Sequence, residues 1–198
     1  LAQISLNPDI DKGDLAASNR LILQGITSGL ATDRASVWLM SDDRRQMRCA
    51  YLLDCDTHYA EPDITLSRQD FPNYFSALDL ERNIVAQDAH THPQTHEFSE
   101  VYLSPLKIRS MLDTPIRHHG LMVGIICIEH RYPKQWQTDE VVFAEEVWRI
   151  AIFRTSIKTT GGIGGVISIV VQCRCTECEV LSSRLSVDRW FFENTACF

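Results

Sequence analysis

The sequence lacks any long apolar run, although 44% of its 198 residues are hydrophobic. A membrane-spanning helix needs about 18 or more such residues in succession, so we expect no transmembrane segment. The first residues also lack the basic start and apolar stretch of a secretory signal peptide. The composition therefore predicts one domain with a real core, and residues 1–12 form a leader before it.

Positive charge is scarce as well. The chain has 19 Lys and Arg against 26 Asp and Glu, so its formal net charge is −7. Nucleic acids and anionic membranes bind surfaces that are rich in Lys and Arg. The charge balance therefore argues against both as partners and leaves small ligands open.

A disulfide framework is also missing. The chain has seven cysteines, an odd number, and their spacing fits no secreted scaffold. We expect these thiols to be reduced and the protein to be cytoplasmic.

Between residues 10 and 153 the sequence has no Gly-x-Ser-x-Gly, no Walker loop and no paired-Cys redox motif. Glu129 and His130 could form an acid–base pair. We favour the simpler interpretation, in which they are a charged strand end near the surface.

Hydrophobic periodicity predicts helices and strands that alternate along the chain. Both faces of the predicted sheet have apolar side chains, which favours an α+β domain with helices on both faces of an antiparallel sheet. In chain order we predict a helix over 15–30, strands over 35–40 and 47–53, a helix over 72–78, a strand over 83–87, a helix from a cap at Thr95 to Pro105, strands over 111–117 and 121–128, and a helix over 139–154.

The segment "SMLDTPIRHHGLMVGIICIEH", residues 110–130, is predicted to be a hairpin. Gly120 can supply the positive φ of its turn. Gly124, inside an apolar strand, indicates a close backbone approach or a bulge. Pro115 has no N–H to donate, so it needs an edge-facing or bulged position.

The order of elements, with "ASVWLM", "FPNYFSAL", "SMLDTPI", "GLMVGIICIEH" and "WQTDEVVFAEEV", resembles a GAF domain. More narrowly, it resembles the GAF input domains of bacterial sensor proteins. These domains precede histidine kinases, diguanylate cyclases or cyclic-di-nucleotide phosphodiesterases. The resemblance covers about residues 10–153.

The resemblance implies a GAF-like (PAS-like) sheet of about six antiparallel strands. One face carries the first and last helices, which often dimerise in this family. The other face often holds a small-molecule pocket beneath the middle helices. Residues 13–155 would then be the sensory domain, and its partners a small ligand, a second copy of the chain and an output domain of the parent protein.

The predicted pocket has aromatic walls and a few polar groups, as small-molecule sites generally do. The ligand itself is not identified by the sequence, and no cofactor is predicted. The residues that we expect to bind the ligand are Trp38, Tyr51, Tyr74, Phe75, His90, His96, Tyr102, Met111 and Cys127.

A metal site is the less favoured interpretation of the histidine cluster. Neutral imidazoles bind Zn²⁺ or iron, and His90, His92 and His96 lie close in sequence. Pro93 prevents His92 and His96 from sharing one regular helix. We therefore predict polar lining of a pocket and no metal.

Three functions known in the family depend on particular residues, which can be looked for in this sequence. Bilin-binding members use a Cys next to a His, and no such pair occurs here. The pattern of cyclic-nucleotide binders, Asn-Lys followed further along by Phe-x₃-Asp-Glu, is absent too. Free methionine sulfoxide reductases depend on cysteines in pocket loops, whereas Cys49 and Cys127 fall in predicted strands.

The tail, residues 156–198, departs from the family. It holds Cys173, Cys175, Cys178 and Cys197 in a spacing that matches no zinc ribbon known to us. We favour an atypical or out-of-frame segment. A strand over 166–171 is one alternative.

The sequence leaves three functional hypotheses. The first is a non-catalytic sensory domain that binds a small molecule and relays the signal to an output domain. The second is a ligand-free dimerisation module with a collapsed pocket. The third, from the enzyme class, is a reductase that depends on Cys55 or Cys127.

Overall fold

The structure, a computed structural model, describes residues 15–60, 62–118, 120–153, 155–159 and 167–171. The chain divides into two units. One consists of residues 22–148, and the other contains the remaining described residues. The predicted leader, residues 1–12, and the four tail cysteines lie outside the described residues.

An antiparallel sheet organises the larger unit. Its strands follow the order β3-β2-β1-β7-β6-β5. Strand β4 also pairs with β2, along the same edge of β2 as β3. The sheet is therefore six positions wide, which confirms the predicted α+β fold. The strands are β1 (Arg34–Met40), β2 (Gln46–Asp54), β3 (His58–Ala60), β4 (Thr65–Ser67), β5 (Ile84–Ala86), β6 (Ser110–His118) and β7 (Leu121–His130).

Four α-helices accompany these strands in the described residues: α1 (Leu15–Leu30), α2 (Pro72–Leu80), α3 (Ser104–Leu106) and α4 (Thr138–Phe153). Helix α2 begins with Pro72, whose fixed φ and missing N–H suit the first helical position. Helix α4 carries Asp139 and Glu140 in its first turn, where acids complement the helix dipole. None of the described helices is both long enough and apolar enough to span a membrane.

The predicted helix after Thr95 is irregular. It consists of a 3-10 turn (His96–Phe98), a π-helical turn (Ser99–Leu103) and the short helix α3. The N–H of Ser104 donates to the carbonyl of Ser99, five residues back. Helix α3 continues past Pro105 because a proline in the first turn needs no N–H. We call residues 96–106 the roof segment.

The β6–β7 hairpin confirms the prediction for residues 110–130. Gly120 has a φ of +79°, the left-handed region that favours glycine. A Cβ on Gly124 would lie 2.3 Å from the carbonyl oxygen of Trp38, so β1 and β7 approach closely there. Strand β5 pairs only with Met111–Asp113, so Pro115 lies beyond the paired part of that edge.

Two layers of apolar side chains bury the two faces of the sheet. Paired residues in neighbouring strands share a face, and successive residues alternate. Cys127 belongs to the cluster that packs beneath α2 and the roof segment, whereas its neighbours Ile126 and Ile128 are buried outside that cluster. Gly29 of α1 lies against the ring of Phe143 of α4.

The smaller unit contains a two-stranded antiparallel pair, β8 (Thr155–Thr159) and β9 (Ile167–Val171). Thr155 pairs with Val171 and Thr159 with Ile167. The alternative of a strand near 166–171 is thus confirmed.

Gly124 is expected to tolerate no side chain. Because its Cβ would overlap backbone rather than a mobile side chain, Gly124→Ala should destabilise the fold by about 2–4 kcal/mol in urea unfolding. Gly120→Ala is the matched control. It meets no atom within 4 Å, so it should cost only the strain of its positive φ, about 1 kcal/mol. Equal losses for the two variants would contradict the close approach.

Candidate functional site

A small cavity lies between the sheet, α2 and the roof segment. Its free space is about 10 Å³, roughly the room of one water molecule. Its walls come from β1, β4, α2, the roof segment, β6 and β7. The lining residues are Trp38, Leu66, Tyr74, Phe98, Tyr102, Met111 and Cys127.

Aromatic rings fill most of the space under the roof. Phe98 stacks on Phe71 with ring centroids 4.4 Å apart. The ring of Tyr74 meets Phe98 edge-on at 4.6 Å, and Tyr102 lies 6.1 Å from Phe98. Rings at such distances attract one another, so the cavity is narrow because its roof is well packed.

A buried hydrogen bond ties α2 to the sheet behind this cavity. The hydroxyl of Tyr74 donates to Asp113 Oδ2 at 2.6 Å, and both side chains are fully enclosed. Burial raises the pKa of the Asp113 carboxyl to about 7, although hydrogen bonds from Cys127 and Tyr74 act in the opposite direction. Asp113 Oδ1 has no hydrogen-bond partner of normal geometry.

A buried ion cluster extends along the same face. Arg34 of β1 donates through Nε to Glu129 Oε2 of β7 at 2.9 Å and through one terminal nitrogen to Asp54 Oδ2 of β2 at 2.5 Å. All three residues are at most 5% exposed. Burial opposes the charge of Arg34, but the charge of Glu129 and these hydrogen bonds outweigh it, so the arginine pKa is raised.

Arg131 links the buried cluster to carboxylates at the surface. One of its terminal nitrogens lies 3.0 Å from Asp54 Oδ1, and the other lies 3.0 Å from the exposed carboxylate of Asp56. Asp33 accepts the backbone N–H of Arg131 at 2.7 Å and lies 2.6 Å from His130 Nδ1. The polar network thus runs from the cavity face to solvent.

The interpretation of Glu129 as a strand end near the surface is wrong. Its side chain is 0% exposed, because Glu129 points to the covered face, two residues after Cys127 in β7. Burial is the main cause of the raised pKa of the Tyr102 phenol, and the negative charge of Glu129 raises it further. Tyr102 therefore joins the cavity to the Arg34 cluster.

Five of the nine predicted ligand residues line the cavity, namely Trp38, Tyr74, Tyr102, Met111 and Cys127. Phe75 is buried beside them, and Arg68 lies over its ring at 4.9 Å. Tyr51 pairs with Val37 and so lies on the opposite face, because a bulge follows that pair in β1–β2. That any of the nine binds a ligand stays a prediction.

The histidines lie away from this cavity. His90 Nε2 donates to the carbonyl of Ile108 at 3.0 Å, and His96 Nδ1 donates to the carbonyl of Pro93 at 2.9 Å. Burial lowers the pKa of His92. Among the residues that the structure describes, no three His, Cys, Asp or Glu side chains are grouped to hold a metal ion.

The described cysteines are poorly suited to nucleophilic chemistry. Burial raises the pKa of Cys49 to about 12 and that of Cys127 well above its usual value. Cys55 is exposed, and its pKa is raised too. The thiolate is the reactive form, so none of the three is an activated nucleophile.

Sequence patterns missed the roles of Arg34, Asp54 and Asp113. Each is a charged residue in or beside a predicted strand that is mostly apolar. A charge in such a position is costly unless it has a partner, and this signal alone could have identified all three. Their partners lie 20 to 95 residues away and could not be read from local spacing.

An antiparallel sheet roofed on one face, with a cavity beneath the roof, is the arrangement of the GAF-like α+β fold. The chain belongs to the GAF domain family, whose sequence profile matches residues 14–151 of its 198. GAF domains are generally non-catalytic sensory domains. No curated protein matches the sequence significantly.

Solved structures confirm the fold. The blue-light-absorbing GAF domain of PixJ from Thermosynechococcus elongatus is 19% identical, with a TM-score of 0.55 over 67% of this chain and 82% of that one. A methyl-accepting chemotaxis protein is 16% identical, with a TM-score of 0.61 over 75% and 92%. The third GAF domain of a photoreceptor protein from Synechocystis is 15% identical, with a TM-score of 0.53 over 66% and 87%.

Removal of the Arg34 charge should strongly destabilise the fold. Arg34→Met leaves the buried carboxylate of Glu129 without its cation and leaves Asp54 with Arg131 alone, which costs about 3–5 kcal/mol. Arg82→Met is the matched control, because Arg82 is 75% exposed in its pair with Glu145 and such pairs contribute at most about 1 kcal/mol. Urea unfolding of both variants measures the difference, and similar losses would contradict a structural role for the buried cluster.

Asp113 should make the stability depend on pH. Its carboxyl keeps a proton up to about pH 7 in the folded state, whereas the unfolded chain releases it near pH 4. Its stabilising contribution is therefore complete below pH 4 and is lost as the pH rises to about 7.

Asp113→Asn removes this titration. The free energy of unfolding of the wild type, minus that of Asp113→Asn, should fall by roughly 2–4 kcal/mol between pH 4 and pH 8. Asp42→Asn, a change at an exposed position, should show no such slope. A constant difference for Asp113→Asn would contradict the raised pKa.

Proposed function

We propose that this chain is a non-catalytic sensory domain that binds a small molecule under the roof segment and relays binding to an output domain of its parent protein. The observation that carries the proposal is the cavity itself. It lies beneath the roof, and its largely apolar lining includes Tyr74, Tyr102 and Cys127, three residues that carry a polar group. Such a mixture of apolar and placed polar groups is typical of small-molecule sites.

Ligand entry requires the roof segment to move, since the free space is about 10 Å³. The roof is suited to this movement. Its π-helical turn is a geometry found often at functional sites, and it is followed by Lys107 at a φ of +58°. Tyr102 is only partly buried, so its ring has a path outward.

The relay uses the helices on the other face. Helices α1 and α4 meet where Gly29 lies against Phe143. We propose that they form a homodimer interface and that ligand binding favours one of two arrangements of these helices. A ligand changes this equilibrium only by the difference in its affinity for the two states.

Specific observations bear on the two alternative functions. The well-packed roof favours a ligand-free dimerisation module, and the experiment below tests it. A Cys-dependent reductase is opposed by the raised pKa values of the described thiols. The three cysteines that the structure describes are all free, which supports a reducing, cytoplasmic location.

The test is a thermal-shift screen of the full chain against nucleotides, small organic acids, small amines and haem. A native-state ligand should raise the melting temperature in a saturable way. Cys127→Met fills the cavity and should remove the rise. Cys55→Met, the same change at an exposed position, should keep it.

Two outcomes would count against the proposal. A rise that survives in Cys127→Met places the ligand elsewhere. No rise with any compound, in a folded dimer, favours the ligand-free module.

A further inference from the structure

Above about pH 7, where Asp113 is ionised, the wall behind the cavity holds more buried negative charge than positive charge. Asp54, Asp113 and Glu129 are each at most 3% exposed, and Arg34 is the buried cation among them. Arg131 adds a second positive charge, but it lies towards the solvent end of the cluster. An incoming ligand would therefore meet an excess of carboxylates.

These carboxylates share the face of the cavity. Asp113 follows Met111 by two residues in β6, and Glu129 follows Cys127 by two residues in β7. Met111 and Cys127 both line the cavity. Because side chains two apart in a strand point to the same face, both carboxylates lie on the cavity side of the sheet.

Each of the two carboxylates has an oxygen that lacks a normal hydrogen bond. Glu129 Oε1 and Asp113 Oδ1 are enclosed and have no hydrogen-bond partner of normal geometry. Arg34 binds the other oxygen of Glu129, Oε2, and Tyr74 binds the other oxygen of Asp113, Oδ2. The hydroxyl of Tyr102 also interacts with Glu129, and this interaction is lost when the ring swings outward. The thiol of Cys127, which faces Asp113 across the β6–β7 pair, is only a weak donor.

An enclosed carboxylate oxygen without a donor is unfavourable. A ligand that brings N–H groups and positive charge compensates both deficits at once. A carboxylate or phosphate ligand brings only acceptors and like charge.

We infer that the cavity selects ligands whose buried end is a small cationic hydrogen-bond donor, a primary amine or an amidine, with an apolar body. This inference rests on the proposed function, since it names the ligand class of the same cavity. The amine end reaches the oxygens of Asp113 and Glu129. The apolar body takes the place of the Tyr102 ring, against Trp38, Phe98 and Met111.

The experiment uses three probes of nearly equal size on the full chain: benzylamine, benzyl alcohol and benzoate. Isothermal titration calorimetry at pH 8.5, where the Asp113 carboxyl is ionised, measures the affinity for each probe. Benzylamine should bind at least about tenfold more tightly than benzyl alcohol, because a charge-assisted hydrogen bond is roughly twice as strong as a neutral one. Benzoate should not bind, because its charge has the same sign as the buried carboxylates.

Asp113→Asn tests the residue that the inference depends on. The variant preserves the shape of the side chain and removes its charge, so the preference for benzylamine over benzyl alcohol should fall by about tenfold or more. Asp42→Asn, at an exposed position, should keep the preference. The wild-type comparison of the three probes does not depend on the folding of any variant.

The outcomes separate this inference from the proposed function. Equal binding of benzylamine and benzyl alcohol, or tight binding of benzoate, overturns the inference and leaves a ligand pocket in place. An unchanged preference in Asp113→Asn also overturns it. If none of the three probes binds while another compound of the screen does, the ligand class is wrong and the sensory function stands.

Discussion

The buried guanidinium of Arg34 is the interaction on which the larger unit depends. It lies on β1 and binds a carboxylate from each neighbouring strand, Asp54 of β2 and Glu129 of β7. Charges removed from water are tolerable only when they are paired and hydrogen-bonded. The pairing therefore holds only when the three strands keep their register, and a slip of one residue would move each charge to the other face. The close contact between Gly124 and the backbone of Trp38 holds the pairing of β1 with β7 at a second position, further from Arg34.

That constraint also shapes the chemistry of the cavity. Because strands alternate, the register that brings Arg34, Asp54 and Glu129 together also places Trp38, Cys127 and Asp113 on the same face. The covered face therefore joins an aromatic roof with buried charge. On the other face Val37, Ile126 and Ile128 are buried and apolar. The two faces are thus suited to different roles, one to a ligand and the other to packing against helices.

Local patterns predicted much of the site but not its polar part. Trp38, Met111 and Cys127 stand in apolar strands, and their contact with one cavity follows from alternation once the register is known. Tyr51 is placed on the opposite face by a bulge that adds Ala50 to β2. The pairing of Tyr74 with Asp113 spans 39 residues, and no periodic pattern reports a contact of that separation.

The sequence by itself determined the order of the longer elements, the α+β fold and the hairpin turn at Gly120, because these follow from periodicity and turn chemistry, and its motifs resembled those of the family. The short strands β3 and β4 were not predicted. Tertiary structure alone decided that Glu129 is buried, that the roof segment is irregular and that the cavity is small. The physical reason is that burial, charge pairing and cavity volume are set by contacts between residues far apart in the chain. Such contacts arise only when the strands assemble in one register.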